Sequence, residues 1–275
     1  MYRKYPQNQG KSCKIKANGI SQQQFTSVAW ISVMILVGFA FSLLSVTKVT
    51  AATHTASDTH SALVQHMYVQ TVGYQAAWVE NLSGMAEEAF NEDEYPMAQR
   101  IWKMLAEEGD ADAAYKLGML YDTGVDGVEQ DAAEAAQWYL LAAQNGHLHA
   151  QHNLAVAYAS GDGVEMNISK ALYWWKRAAR TGNSDSQYNL GIVYAMGVHG
   201  VKKNLDQAKK WWRKAAMKGD PMAQYNLGTI YANGEDVSSY CEATRWWEKS
   251  ARKGVEQASW ALEIIKTRQD YQSCW

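Results

Sequence analysis

Residues Gln187–Gly219, QYNLGIVYAMGVHGVKKNLDQAKKWWRKAAMKG, contain a pattern that occurs four times along the chain. Its apolar residues between Tyr188 and Tyr194 recur at helical intervals, which predicts a first helix, A, of about eleven residues. Glycines then predict a turn. A second helix, B, begins near Asn204 and ends at Gly219, a residue type that commonly follows the last turn of a helix. The stretch therefore predicts one helix–turn–helix unit.

The anchor residues of this unit return every 35 to 37 positions. They are Leu117, Leu154, Leu190 and Leu227, Tyr121, Tyr158, Tyr194 and Tyr231, Trp138, Trp174, Trp211 and Trp246, and Gly146, Gly182, Gly219 and Gly254. Self-similarity at this period is typical of a solenoid, in which each unit buries its apolar face only by stacking on neighbours. Within a repeat domain over residues 76–275, we expect four clear repeats near 113–146, 150–182, 186–219 and 223–254. A partial unit precedes them and a capping helix follows.

Helix B carries a row of aromatic residues that we interpret as core. Ala208, Trp211 and Ala215 stand at i, i+3 and i+7, which places them on one stripe of a helix. A second aromatic residue follows in every unit, namely Tyr139, Trp175, Trp212 and Trp247. Gly191 in helix A removes a side chain where a neighbouring helix must approach closely. The aromatic row is therefore predicted to be packing and not a ligand site.

These motifs resemble the Sel1-like repeat family, an α-solenoid relative of the tetratricopeptide repeat. The resemblance rests on the elements A-x-x-x-L-G-x-x-Y, G-x-G-V and W-x-x-x-A-A-x-x-G, and it covers roughly residues 87–265. The fourth turn departs from the pattern, because Gly234–Val237 lacks the second glycine. The resemblance implies an all-α, right-handed α-solenoid. It also implies an adaptor for other proteins, often in bacterial envelopes or in host-interaction and signalling roles.

The formal net charge of −2 conceals an uneven distribution. Residues 1–51 hold six bases and no acid, so the remainder has 20 bases and 28 acids, which argues against a nucleic-acid partner. Residues 80–134 hold 15 acids and three bases, whereas residues 168–275 hold 17 bases and ten acids. Two interpretations stay open: solvated faces of different sign, or a stack whose two ends prefer different partners.

Residues 25–47 form an uncharged, largely apolar run of 23 residues. This run is long enough to cross a bilayer of about 30 Å. Because the bases cluster in the leader 1–24, the positive-inside tendency places that leader in the cytoplasm and the repeats outside it. We thus predict a single-pass protein of the inner (cytoplasmic) membrane, with residues 48–75 as a tether. Small residues at Val49–Ala51 keep open a cleaved signal peptide and a secreted or periplasmic product.

Two cysteines are candidates for a disulfide. Cys241 lies at the start of the last helix B, and Cys274 lies near the far end of the helix that follows. Two antiparallel helices of similar length would bring these positions together, and an extracytoplasmic location would permit the bond. The alternative is two unpaired thiols. Cys13, on the cytoplasmic side, is predicted to be free.

Histidines and acids offer weaker candidates for metal sites. His147, His149 and His152 could ligate zinc, but His152 occupies the slot of Tyr115, Tyr188 and Tyr225 in the other units. An aromatic residue replacing another in a packed slot is the simpler account. His54, His60 and His66 recur at intervals of six and are interpreted as solvated. The acids Asp122, Asp126, Glu129 and Asp131 do not match a calcium loop. We predict neither metal nor cofactor.

Under the resemblance, the A helices line the concave face, and slots that differ between units would encode binding. One such row is Met119, Val156, Ile192 and Thr229, and another is Thr123, Ser160, Met196 and Asn233. A third is Asn153, Asn189 and Asn226, with Lys116 in the first unit. The asparagines could instead bond the backbone of a neighbouring turn. The partner-binding candidates are Met119, Thr123, Asn153, Ser160, Asn189, Met196, Asn226 and Asn233.

The predicted function is a membrane-tethered, extracytoplasmic scaffold that binds other proteins of the cell envelope. A cell-wall (peptidoglycan)-binding or regulatory module is the alternative. A cell-wall hydrolase is a third hypothesis, but the sequence contains no G-x-S-x-G, H-E-x-x-H or phosphate-binding glycine loop. We therefore expect that the chain is not an enzyme.

Overall fold

The computed structural model of this chain describes residues 77–198, 200–234 and 237–267. The chain divides into two compact units, and residues 77–84 belong to one of them while Met85 and the described residues after it belong to the other. The described secondary structure is helical, apart from an isolated antiparallel bridge between Val125 and Val128.

Eleven helices lie in the described part of the chain. They are α1 (77–91), α2 (Tyr95–Glu107), α3 (Ala111–Thr123), α4 (Ala132–Gln144), α5 (Leu148–Ser160), α6 (Ile168–Arg180), α7 (Ser184–Met196), α8 (Leu205–Met217), α9 (Pro221–Ala232), α10 (Val237–Ala251) and α11 (Glu256–Lys266). Repeats 1 to 4 are the pairs α3–α4, α5–α6, α7–α8 and α9–α10. From α3 to α11, each helix packs mainly against the helices next to it in the chain. The all-helical repeat architecture is thus as predicted.

The helix boundaries follow from short-range chemistry. In repeat 3, the Asn183 and Asn204 side chains accept hydrogen bonds from backbone N–H groups in the first turns of α7 and α8. Such caps satisfy donors that the helix itself leaves unpaired. At the other end of helix B, Gly182 and Gly219 have φ of 106° and 92°. Residues with a Cβ rarely adopt this conformation, so the closing glycines stop each B helix as the sequence predicts.

The core of each repeat lies between helix A and the second aromatic residue of helix B. Leu117, Leu154, Leu190 and Leu227 are all fully buried. A Cβ on Gly191 would overlap the Trp212 ring, and a Cβ on Gly228 would overlap the Trp247 ring. The second aromatic residue, not Trp211, therefore occupies the deepest position. This corrects the predicted Ala208–Trp211–Ala215 stripe, whose two alanines are buried while Trp211 stays half-buried.

The predicted membrane segment, residues 25–47, lies outside the described residues, as do the leader 1–24 and the tether 48–75. Within the described ranges, no helix combines the length and the apolar character that crossing a bilayer requires.

Candidate partner-binding surfaces

A row of buried glutamines joins repeats 2, 3 and 4 each to the repeat before it. Gln151, Gln187 and Gln224 donate from Nε2 to carbonyl oxygens near the end of the preceding B helix, at 3.2, 3.0 and 3.1 Å. The acceptors are Ala143, Ala179 and Ala216, each eight residues earlier in the chain. Sequence reasoning missed this row. Its signal was a glutamine in the same slot of three successive units.

Two tryptophans link the helices within repeats 3 and 4. The indole Nε1 of Trp212 donates to the Tyr188 carbonyl at 3.1 Å, and that of Trp247 donates to the Tyr225 carbonyl at 3.2 Å. Each bond ties helix B to helix A of the same repeat. The second aromatic residue of helix B in repeats 3 and 4 is therefore used for packing, as predicted.

The C-terminal ends of successive B helices lie side by side. The Lys218 ammonium donates to the Gly182 carbonyl, and the Lys253 ammonium donates to the Gly219 carbonyl one repeat later. In repeat 1, Asn145 donates to the Gly109 carbonyl at 3.4 Å. A lysine side chain spans each gap, so the B helices of repeats 2, 3 and 4 are immediate neighbours at this end.

Two of the rows predicted to bind partners, the row of Met119 and the row of Thr123, differ in solvent accessibility. In the row of Met119, Val156, Ile192 and Thr229, Val156 is buried, Met119 and Ile192 are half-buried, and Thr229 is exposed. In the second row, Thr123, Ser160, Met196 and Asn233 are all exposed. The Thr123 and Ser160 hydroxyls donate to carbonyls of their own helices. Met196, 65% exposed, is the most accessible apolar side chain of this row.

The asparagine row lies mostly in the core. Asn153 and Asn189 are buried, and Asn226 is half-buried. The Asn153 side chain hydrogen-bonds to the Tyr139 hydroxyl of the preceding B helix. Burial raises the pKa of Tyr139, with Asp122 adding to the shift, so this phenol stays neutral. Their position favours a packing role for Asn153 and Asn189, and the prediction that they bind a partner gains no support from it.

The three histidines between repeats 1 and 2 do not share one site: His147 and His149 lie near each other and Tyr115, and His152 lies apart from them against the next repeat. His147 accepts the Ala150 N–H as the N-cap of α5 and stacks on Tyr115, with ring centroids 4.2 Å apart. The buried His152 instead meets the Ser186 hydroxyl at 2.8 Å. No group of histidine, cysteine or acidic residues in the described ranges is arranged to hold a metal ion. The account of His152 as a packed aromatic residue fits this placement.

Acids near the first repeat are occupied within the chain. Asp112 and Glu87 both pair with Lys116. A hydrogen bond from His147 holds the pKa of Asp112 well below its usual range, although burial opposes the shift. Of the predicted acid cluster, Asp131 caps α4 and Asp122 is buried beside Tyr139. These acids therefore serve the local structure.

The disulfide prediction concerns the last repeat. Cys241 lies in α10 and is disulfide-bonded. Cys274 lies outside the described residues, so the pairing of Cys241 with Cys274 stays a prediction. Cys13, His54, His60 and His66 also lie outside the described residues.

The outward side of the B helices changes in charge from repeat to repeat. Three positions recur on it, at two, six and nine residues after the buried alanine that begins each stripe. In repeat 1 they are neutral, whereas in repeats 2, 3 and 4 they form what we call the B face: Tyr173, Arg177, Arg180, Lys210, Lys214, Met217, Arg245, Lys249 and Arg252. Each of these nine side chains is exposed. The B face carries seven bases and no acid.

Comparison with known proteins agrees with this geometry. A sequence model of the Sel1 repeat matches residues 111–147, 148–183, 184–220 and 221–255. Protein sel-1 homolog 2 from Rattus norvegicus is 33% identical over 109 residues, which is 38% of this chain and 16% of that protein, and the Homo sapiens protein matches equally. The chain thus spans about a sixth of the length of these relatives.

A solved structure supports the same assignment. The crystal structure of a Sel1 repeat protein from Oxalobacter formigenes is 30% identical and superposes with a TM-score of 0.60, over 66% of this chain and 74% of that one. The four matched segments together cover residues 111–255, more than half of the 275 residues. This chain belongs to the Sel1 repeat family.

Proposed function

We propose that this chain is a membrane-tethered scaffold that binds other proteins of the cell envelope on the extracytoplasmic side. Sel1 repeats generally mediate protein–protein interactions, and the family is typically non-catalytic. The membrane tether and the extracytoplasmic location are proposed from the uncharged run 25–47 and the basic leader before it.

The observation that carries the binding role is a contrast between buried and exposed slots. The buried leucine slot is identical in all four repeats. The exposed row at the end of helix A holds four different residues, Thr123, Ser160, Met196 and Asn233. Packing does not require a given residue at an exposed slot, so these positions are available for recognition.

Site-specific photo-crosslinking in intact cells tests the binding role. A photoreactive residue is introduced at Ser160 or Met196 of the tagged full chain, with exposed Glu107 at the end of α2 as the control position. We expect the same protein adducts from Ser160 and Met196, and none of them from Glu107. Adducts only with peptidoglycan would favour the wall-binding alternative, and identical adducts from all three positions would contradict a specific surface.

The predicted location needs a separate test. Alkaline phosphatase fused after Trp275 is active only outside the cytoplasm. We expect activity in the membrane fraction from the full chain, and loss of that activity when residues 25–47 are deleted. Activity released in soluble form would favour cleavage near Ala51, and an inactive but intact fusion would place the repeats in the cytoplasm.

A further inference from the structure

We propose that the B face binds an extended acidic segment of a partner protein. This inference rests on the proposed scaffold function and adds the surface and the chemistry of the partner. It concerns the outward side of α6, α8 and α10, which is separate from the exposed row of the A helices. Three features of the described residues carry it: uncompensated charge, ordered side chains and regular spacing.

The positive charge is largely uncompensated in repeats 2 and 3. Helix α6 contains no acid, and α8 contains only Asp206, in its first turn. In the described part of the chain, no carboxylate pairs with Arg177 or Arg180 of α6, or with Lys210 or Lys214 of α8. In α10, by contrast, the acids of that helix pair with Arg245 and Arg252. The centre of the surface is therefore on repeats 2 and 3.

Part of this charge is held in place by tryptophan. The Arg177 guanidinium lies 5.5 Å from the Trp174 ring centroid, and the Lys214 ammonium lies 4.5 Å from that of Trp211. Lys249 repeats the arrangement on Trp246 at 4.4 Å. A cation over the face of an indole is attracted by the ring, so these charged groups lose less freedom when a carboxylate binds. The same slot thus presents a positioned cation in three successive repeats.

The spacing of the three rows suits an extended chain. The lysine links bring the C-terminal ends of α6, α8 and α10 next to one another. Along their length, helix A of the following repeat packs against both neighbouring B helices. Packed helices lie about 8–10 Å apart, so two such steps put successive B helices within about 16–20 Å. An extended polypeptide rises about 3.3 Å per residue and covers that distance in about six residues. A segment with acids at every third residue therefore has a carboxylate available at each cationic row.

Two features argue against other polyanions. The repeats as a whole are acidic outside this surface, which disfavours long nucleic acids. A second copy of this chain could offer its own acidic stretch, 80–134. However, several acids of that stretch are committed to caps or to partners within the chain: Glu87, Asp93, Asp110, Asp112, Asp122, Asp131 and Glu134.

The test measures binding of a labelled peptide with glutamate at every third position in a Ser/Gly background. The full chain is held in phosphatidylcholine discs, and binding is followed by fluorescence anisotropy. We expect R177E/K214E to weaken binding about tenfold or more at low salt, because two cations become repulsive. The control K202E/K203E makes the same change in net charge in the exposed turn of repeat 3 and should leave binding unchanged. A second pair, R180E/K210E, has no described ring partner and should also weaken binding.

Each other outcome overturns the proposal. Equal loss in the K202E/K203E control would indicate attraction by net charge alone, and absence of binding to the wild type would remove the surface. Peptide displacement by added phosphatidylglycerol would assign the face to lipid, and self-association that R177E/K214E abolishes would assign it to a second copy. If Met196 still gives its crosslinked partners while the chain with an unaltered B face does not bind the peptide, the scaffold function stands and this inference fails.

Discussion

Repeats 1 and 3 have the same helical frame but different polar chemistry. Repeat 3 ties its A helix to the preceding repeat through Gln187 and buries Asn189, whereas repeat 1 has Ala114 and Lys116 in those slots. The outward face of helix B is neutral in repeat 1 and basic in repeat 3. The leucine, the small residue and the closing glycine, which both repeats share, therefore define the unit. The other slots can vary, and variation at exposed slots is where the repeats diverge most.

The leucine slot should give the largest effect and the same effect in both repeats. Leu117 and Leu190 are both fully buried. We expect L117A and L190A each to lower the free energy of unfolding by about 3 kcal/mol, because each removes buried apolar atoms and leaves a cavity. Urea unfolding followed by tryptophan fluorescence measures both. A much smaller cost for L117A would show that the first repeat opens separately from the rest, as stacked repeats can.

The small-residue slot comes next. A Cβ at Gly191 would overlap the Trp212 ring, so we expect G191A to cost about 1–3 kcal/mol through overpacking. Repeat 2 already carries Ala155 in this slot against Trp175, both fully buried. G191A should therefore be tolerated better than G191L. We also expect G191A to lose the Trp212–Tyr188 hydrogen bond. If G191A proved neutral while that bond persisted, the close approach would not be what selects glycine.

The glutamine slot tests whether repeat 1 is less stable because it lacks the hydrogen bond to the preceding helix. We expect Q187A, which copies repeat 1, to cost about 1 kcal/mol because the Ala179 carbonyl loses a buried donor. The reciprocal A114Q places an amide eight residues after Ala106, the spacing at which the other glutamines bond. It should be neutral or slightly stabilising in the same urea assay. A strongly destabilising A114Q would show that the first junction has no room for the side chain.

The sequence predicted the parts of this comparison that depend on local periodicity. Leucines, closing glycines and the cap at Asn204 repeat in register, and they fix where each helix begins, ends and turns inward. Which of Trp211 and Trp212 is the more deeply buried could not be predicted in this way, because both lie near the same helical stripe. It is decided by the glycine of the facing helix, which only the packed pair reveals.

The candidate surfaces were less predictable for a related reason. Its polarity alone predicts that Asn153 lies at the surface, but the Tyr139 hydroxyl of the neighbouring repeat gives it a buried hydrogen-bond partner. Charges of the B face are visible in the sequence as scattered lysines and arginines. That these charges share one face follows only from the structure, in which the buried alanine of each B helix fixes the face that points to solvent. Tertiary pairing, not composition, decides both cases.

The smallest expected effect separates the junction of repeats 1 and 2 from that of repeats 3 and 4. Burial lowers the pKa of His149, the His147 charge adds to this, and Asp185 opposes it. Since the unfolded value is about 6.5, the unfolded chain binds more protons below that pH, and stability falls as the pH drops from about 6.5 toward the folded pKa. Met222 fills this slot in repeat 4, so H149M should flatten the decline in urea midpoint between pH 7.5 and 5.5. At pH 7.5, where His149 is neutral in both states, the variant should differ little from the wild type. A decline that persists unchanged in H149M would show that His149 is not the group responsible.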